Sequence, residues 1–183
     1  MNVGIFSGSF DPIHMGHMMI ANYVTNFTDI DEVWFLVSPQ NPFKKDITMT
    51  NEVLRYRMVQ LAVEDYLQLK ASDFEFSLPR PSYTIHTLQE LERRYPRYNF
   101  SLIIGADNWA RITEWKDYQT ILQNYKWYVY PRLGYDLDIA DEYKEPVTAL
   151  ESPIVGISST FLRKVIGEGR CVRSFVPDSV LEY

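Results

Sequence analysis

Val3-Gly4-Ile5-Phe6-Ser7-Gly8-Ser9-Phe10-Asp11-Pro12-Ile13-His14-Met15-Gly16-His17-Met18-Met19-Ile20-Ala21 is the stretch on which the reading of the fold turns. It opens on an apolar run within residues 2–6, short enough for a buried strand. Residues 7–16 are rich in Gly, Ser, Asp and Pro, so the chain turns there. Over residues 17–27, Met18, Ile20, Ala21 and Val24 recur at helical spacing. Strand, loop and helix in that order put free backbone N–H groups and the positive end of a helix dipole at the loop, which favours phosphate. Two of the three histidines of the chain, His14 and His17, lie in this turn. Imidazole N–H groups donate to phosphate oxygens, and the protonated ring adds charge assistance. Gly16, between them, has no side chain to hold a ligand away from the backbone. The third histidine, His86, falls inside an expected helix and reads as structural.

The same alternation continues outward. Residues 32–37 (Val33-Trp34-Phe35-Leu36-Val37) form a second buried strand candidate, followed by a two-proline loop that carries Lys44 and Lys45. Residues 51–65 place Val53, Leu54, Met58, Leu61 and Ala62 on one helical face. Residues 71–76 are a third strand candidate. Ser82 is the expected N-cap of a helix over residues 84–95. Residues 100–104 form a strand that stops at Gly105-Ala106-Asp107-Asn108. A helix over 118–124, strands over 127–130 and 147–150, a helix capped by Ser158 or Ser159 and a short C-terminal helix after Pro177 complete the series.

Strands that look buried on both faces and alternate with helices predict an α/β, Rossmann-like doubly wound fold, with a mostly parallel sheet and helices on both faces. No repeat or composition break divides the chain, so residues 1–183 are expected to form one domain. In such sheets ligands bind beyond the carboxyl ends of the strands. The loops after Phe6, Val37 and Ile104 are therefore expected to converge on one cleft.

Hydrophobic residues make up 46% of the chain, enough for a sizeable core. A net charge of -6 gives no global basic footprint for nucleic acid, so a polyanionic ligand would need a local cluster of positive groups. The single cysteine, Cys171, allows neither an intrachain disulfide nor a Cys-based zinc site and fits a reducing compartment. No segment reaches the roughly 18 apolar residues of a bilayer span. The expectation is a cytoplasmic protein that engages neither membrane nor nucleic acid. A homo-oligomer is compatible with the sequence.

The segment Gly8-Ser9-Phe10-Asp11-Pro12-Ile13-His14-Met15-Gly16-His17 resembles the signature of the nucleotidylyltransferase superfamily, specifically of bacterial nicotinate-nucleotide adenylyltransferases. Ser7 stands where that family usually has Gly, adding a Cβ at an expected tight turn. The resemblance extends along nearly the whole chain. Ile157-Ser158-Ser159-Thr160-Phe161-Leu162-Arg163 is similar to the family's second signature, and Ser82-Tyr83-Thr84-Ile85-His86-Thr87-Leu88 to its Ser/Thr-Tyr-Thr segment. Arg55 and Met58 fit a family helix pattern as scaffold. An aromatic usually follows the family tryptophan, Trp115, where this chain has Lys116.

The resemblance implies transfer of the adenylyl group of ATP to nicotinate mononucleotide, giving deamido-NAD and pyrophosphate, with Mg2+ accompanying ATP. It implies His14, His17, Lys44 and Arg163 as catalytic groups. ATP would be bound by Gly8, Ser9, Phe10, Gly16, Gly105, Asp107, Ile157, Ser158, Ser159 and Thr160. The mononucleotide would meet Tyr83, Thr84, Trp115 and Arg132. No protein metal ligand is implied. Nicotinamide mononucleotide as preferred acceptor and a non-catalytic nucleotide-binding module are the competing readings. A synthetase of the aminoacyl-tRNA type is disfavoured by the chain's length and acidity.

Overall fold

Six strands run parallel in the order β3-β2-β1-β4-β5-β6, in a computed structural model that describes residues 1–39 and 49–183. The strands are β1 (Asn2–Gly8), β2 (Glu32–Val37), β3 (Leu69–Ser72), β4 (Asn99–Gly105), β5 (Lys126–Tyr130) and β6 (Val147–Ala149). The helices are α1 (Met15–Phe27), α2 (Glu52–Val63), α3 (Thr84–Arg94), α4 (Ala106–Trp109), α5 (Tyr118–Asn124), α6 (Ser159–Gly167) and α7 (Asp178–Glu182). This strand order is that of the doubly wound dinucleotide-binding fold. The winding reverses between β1 and β4, which pair directly from Asn2↔Asn99 to Ile5↔Leu102.

The core has two parts, one on each face of the sheet. Val24 of α1, Val59 of α2, Leu162 of α6 and Val180 of α7 pack with Phe6, Phe35 and Ile103 in one cluster. Leu88 and Leu91 of α3, Trp109 of α4 and Ile121 of α5 pack with Ile5, Leu102 and Trp127 in the other. Successive strand residues point to opposite faces, so neighbouring residues of one strand serve different clusters.

Several boundaries differ from expectation. Ser7 and Gly8 belong to β1, paired with Leu36 and Val37, rather than to a turn. Ser7 is exposed in extended backbone, so its Cβ meets no tight turn. β3 covers Leu69–Ser72, and the Phe74–Ser77 stretch, expected as strand, is a 3-10 turn. The Ser72 hydroxyl accepts from Phe74 N–H at 3.3 Å, a local bond that competes with the ladder. Ser82 does not cap α3; Tyr83 holds the cap position without a side-chain cap bond, while Ser82 Oγ donates to Glu75. The cap expected at Ser158 or Ser159 is Ser158, whose oxygen accepts from Phe161 N–H at 3.2 Å.

Candidate active site

The carboxyl ends of β1 and β5, the start of α1 and the segment before α6 line an open cleft. Phe6, His14, Gly16, His17, Tyr130, Arg132 and Ile157 are among the residues lining it.

The α1 end explains the histidine spacing. His14 is the N-cap and His17 the third residue of the helix. Their rings stack at 3.6 Å between centroids and 19° between planes. His17 Nδ1 accepts from His14 N–H at 3.3 Å. An imidazole thus does what a capping-box Glu does elsewhere, reaching back to the cap amide. With Nδ1 accepting, neutral His17 carries its proton on Nε2. His14 is 3% exposed, and its Nδ1 is buried without a hydrogen-bond partner. Burial first, and then the positive charge of Arg132, bring its pKa down to about 4. The free protein therefore holds His14 neutral at pH 7, against the charge-assisted cation the sequence allowed.

The glycines do more than admit a ligand. A Cβ on Gly16 would lie 3.0 Å from His14 Nδ1 and 3.4 Å from Val155. Gly16 thus makes room first for the His14 ring. Phe10 adopts left-handed backbone, φ 47°, and its ring folds back over Gly8. Phe10 is 2% exposed and contacts Phe6, Phe35 and His17 edge-on. Its side chain is a core residue beneath the loop.

Two buried charges organise the loop from below, one of them absent from the expected site. Arg55 of α2 is 1% exposed and donates to Ser9 O (2.5 Å), Ser38 O (2.9 Å), Thr50 O (2.9 Å) and Pro39 O (3.4 Å). One guanidinium therefore ties the loop after β1 to the loop after β2. Asp11, 3% exposed, accepts from Thr50 N–H and lies 3.9 Å from Arg163. Its place in a recurring motif was visible in the sequence, but its partners, some forty and 150 positions away, were not.

The second signature docks on the first. Ser159 Oγ donates to Pro12 O at 2.9 Å and Arg163 Nη1 to Asp11 O at 2.6 Å. Arg163 Nη2 also donates to Thr160 Oγ1 at 3.4 Å. The Arg163 fork, expected to reach phosphates, thus already spends part of its donors fastening α6 to the loop. Phe175 O accepts from Met15 N–H at 2.8 Å, so one amide of the α1 terminus is taken by protein.

Across the switch point, Gly105 ends β4 and caps α4. A Cβ there would fall on Asp107 Oδ1. That oxygen is buried without a hydrogen-bond partner, with Arg132 Nε 3.6 Å away. Arg132, expected at the mononucleotide, lines the same cleft as the histidines.

Tyr83, Thr84 and Trp115 do not line that cleft. Tyr83 and Trp115 pack against the core cluster on the other face, beside α3 and α5. Lys116 Nζ sits 4.8 Å from the Tyr83 ring centre and 3.4 Å from His86 Nε2. His86, read as structural, is exposed and belongs to this surface group. Because α3 crosses from β3 to β4, its start and Trp115 both lie at the carboxyl edge of the sheet. The candidate residues therefore form two groups, one over each face. Lys44 lies outside the described residues.

Comparison with known proteins agrees with this architecture. The family model for cytidylyltransferase-like proteins matches residues 5–165. A Flavobacterium johnsoniae protein named "Probable nicotinate-nucleotide adenylyltransferase" is 44% identical, the match covering 100% of this chain and 95% of the relative. A Bacteroides fragilis protein of the same name is 48% identical over 97% of this chain and 88% of its own. The Plasmodium falciparum nicotinic acid mononucleotide adenylyltransferase complexed with NaAD superposes with a TM-score of 0.83 at 20% identity, covering 100% of this chain and 93% of that one.

Proposed function

Because the chain belongs to the nicotinate-nucleotide adenylyltransferase family of cytidylyltransferase-like proteins, we propose that it transfers AMP from ATP to nicotinate mononucleotide, giving deamido-NAD and pyrophosphate. The observation that carries this reading is the seating of His14, His17, Gly16, Arg132 and Ile157 around one cleft at the strand-order reversal.

A 5′-phosphate oxygen of the mononucleotide attacks the α-phosphorus of ATP. A new P–O bond forms as the bond to the pyrophosphate oxygen breaks, and pyrophosphate leaves with the electron pair. The attacking phosphate is already ionised at neutral pH, so neither a general base nor a protein nucleophile is required. Catalysis is then positioning and charge neutralisation. Neutral His14 donates to the α-phosphate region. His17 Nε2–H, Lys44 and Arg163 neutralise the departing side, and Ser158, Ser159 and Thr160 line the ATP end. Mg2+ enters with ATP as part of the substrate. The unpartnered Asp107 oxygen suits an acceptor for ribose hydroxyls or a metal-bound water. Tyr83, Thr84 and Trp115 receive the pyridine ring from the other face, and Arg132 meets the mononucleotide from the histidine side. The substrates are small molecules, and the single cysteine fits the cytoplasm as the place of action.

Pyrophosphate release from protein, ATP and magnesium tests the proposal. Release with nicotinate mononucleotide and none without acceptor is the expected result. Faster release with nicotinamide mononucleotide would reassign the acceptor. No release with either would leave a nucleotide-binding module.

A further inference from the structure

Glu75 is a carboxylate 4% exposed whose partners among the described residues are hydroxyls rather than cations. Oε2 accepts from Ser82 Oγ at 2.9 Å and Oε1 from Thr87 Oγ1 at 3.1 Å. Burial raises the pKa of this carboxyl, and the neighbouring Ser82, Thr87 and Ser38 side chains partly offset that rise. Burying a carboxylate without a cation is costly, so each of these bonds has to be made for the group to stay where it is.

The bonds join parts of the molecule that share an edge of the sheet. Ser38 N–H donates to Gly8 O at 2.9 Å, and Ser38 O accepts from Arg55. Ser38 is thereby tied to the end of β1 and to Arg55. Ser82 and Thr87 lie on either side of Tyr83, Thr84 and His86, so the carboxylate grips the first turn of α3 at both ends. Thr87 Oγ1 is also 3.4 Å from Tyr83 O. Ser82, the residue best suited to cap α3, is drawn away from that task. The first turn of α3 keeps neither a side-chain cap nor an acidic residue. Its amides are left without a side-chain oxygen, at the place where Lys116 covers Tyr83 and His86.

We propose that Glu75 is a positioning residue for the acceptor half of the cleft. It fixes residues 82–87 so that Tyr83 and Thr84 meet the mononucleotide. This rests on the placement of the acceptor given under Proposed function.

The test is pyrophosphate release with each substrate varied in turn. Glu75→Ala should raise the KM for nicotinate mononucleotide about tenfold or more, the scale of a lost hydrogen bond to a charged group, while the KM for ATP moves less than about threefold. Glu75→Gln keeps one acceptor for Ser82 and offers an N–H to Thr87 Oγ1, so it should restore most of the acceptor KM. A structural role alone would raise both KM values together or leave both unmoved, and either result overturns the inference, as does a Gln variant no better than Ala. If Glu75→Ala does not fold, Ser82→Ala and Thr87→Val, each removing one arm, are judged by the same split between the two KM values. A wild-type protein that releases no pyrophosphate with the acceptor overturns the functional reading itself. An active wild type with an unchanged acceptor KM in these variants overturns only the role of Glu75.

Discussion

His14 is held neutral by its burial and by Arg132, and that has a cost that depends on pH. Its folded pKa of about 4 lies below the ordinary value of 6.5, so between these values the unfolded chain binds more protons. Stability contributed by neutral His14 is complete above pH 6.5 and is lost as pH falls toward 4, on the order of 3 kcal/mol in all. His14→Gln should flatten this acid limb, measured as urea unfolding at pH 7 and pH 5. Burial pushes the Glu75 carboxyl up, which works in the opposite sense, but it is common to both proteins and cancels in the comparison. An equal loss of stability in wild type and variant would remove His14 as the cause. His17→Ala addresses chemistry instead. Removing a donor aimed at transferring charge lowers kcat by roughly a hundredfold or more, while near-ultraviolet circular dichroism should stay native. The pairing of the two histidines was legible from their spacing around Gly16. Their unequal electrostatics were not, because Arg132 arrives from 118 positions later.

At the scale of elements, the loops after β1 and β2 are joined by one side chain of α2. Arg55→Met would leave the carbonyls of Ser9, Ser38 and Thr50 without their buried donor. A loss of about 3 kcal/mol or more is expected in urea unfolding. Arg55→Lys should recover only part of it, since an ammonium lacks the planar fork that spans several carbonyls. Gly105→Ala acts differently: its Cβ falls on Asp107 Oδ1 and 3.1 Å from Arg132 Cγ and the Tyr130 ring, so it displaces the Asp107 carboxylate first. It should raise the KM for ATP while the urea midpoint stays close to wild type. A large change in the midpoint would mean that Gly105 serves the fold and not the cleft. Both effects show where sequence reading stops. Val53, Leu54 and Met58 announce an amphipathic helix, but Val53 is 60% exposed, while Arg55 is as fully buried as Val59. Likewise Phe74 and Phe76 suggested a strand, and the acid between them gave no sign of being buried. Periodicity reports apolar faces; a charge that finds its partners in distant loops leaves no period behind it.

For the whole molecule, alternation of buried strands and helices was enough to read the doubly wound sheet, because a parallel pair requires a crossover between its strands. The division of the site was not readable. The histidines, Arg132 and α6 belong with one face, and Tyr83, Lys116 and Trp115 with the other. Substrates that bind the native state at about 100 times their Kd stabilise it by about 2.7 kcal/mol each. ATP and nicotinate mononucleotide should therefore raise Tm independently in thermal melts, and a mononucleotide that shifts Tm only when ATP is present would mean that the acceptor half forms only around bound ATP. The docking of residues 159–175 onto residues 11–15 has a consequence for synthesis on the ribosome. A nascent chain of 150 residues already contains all six strands. It still lacks Ser159, Arg163 and Phe175, which fasten Pro12, Asp11 and Met15. The first loop to leave the exit tunnel is thus among the last to be fully secured: until residues 159–175 follow, it is held by Arg55 and Thr50 alone among these partners.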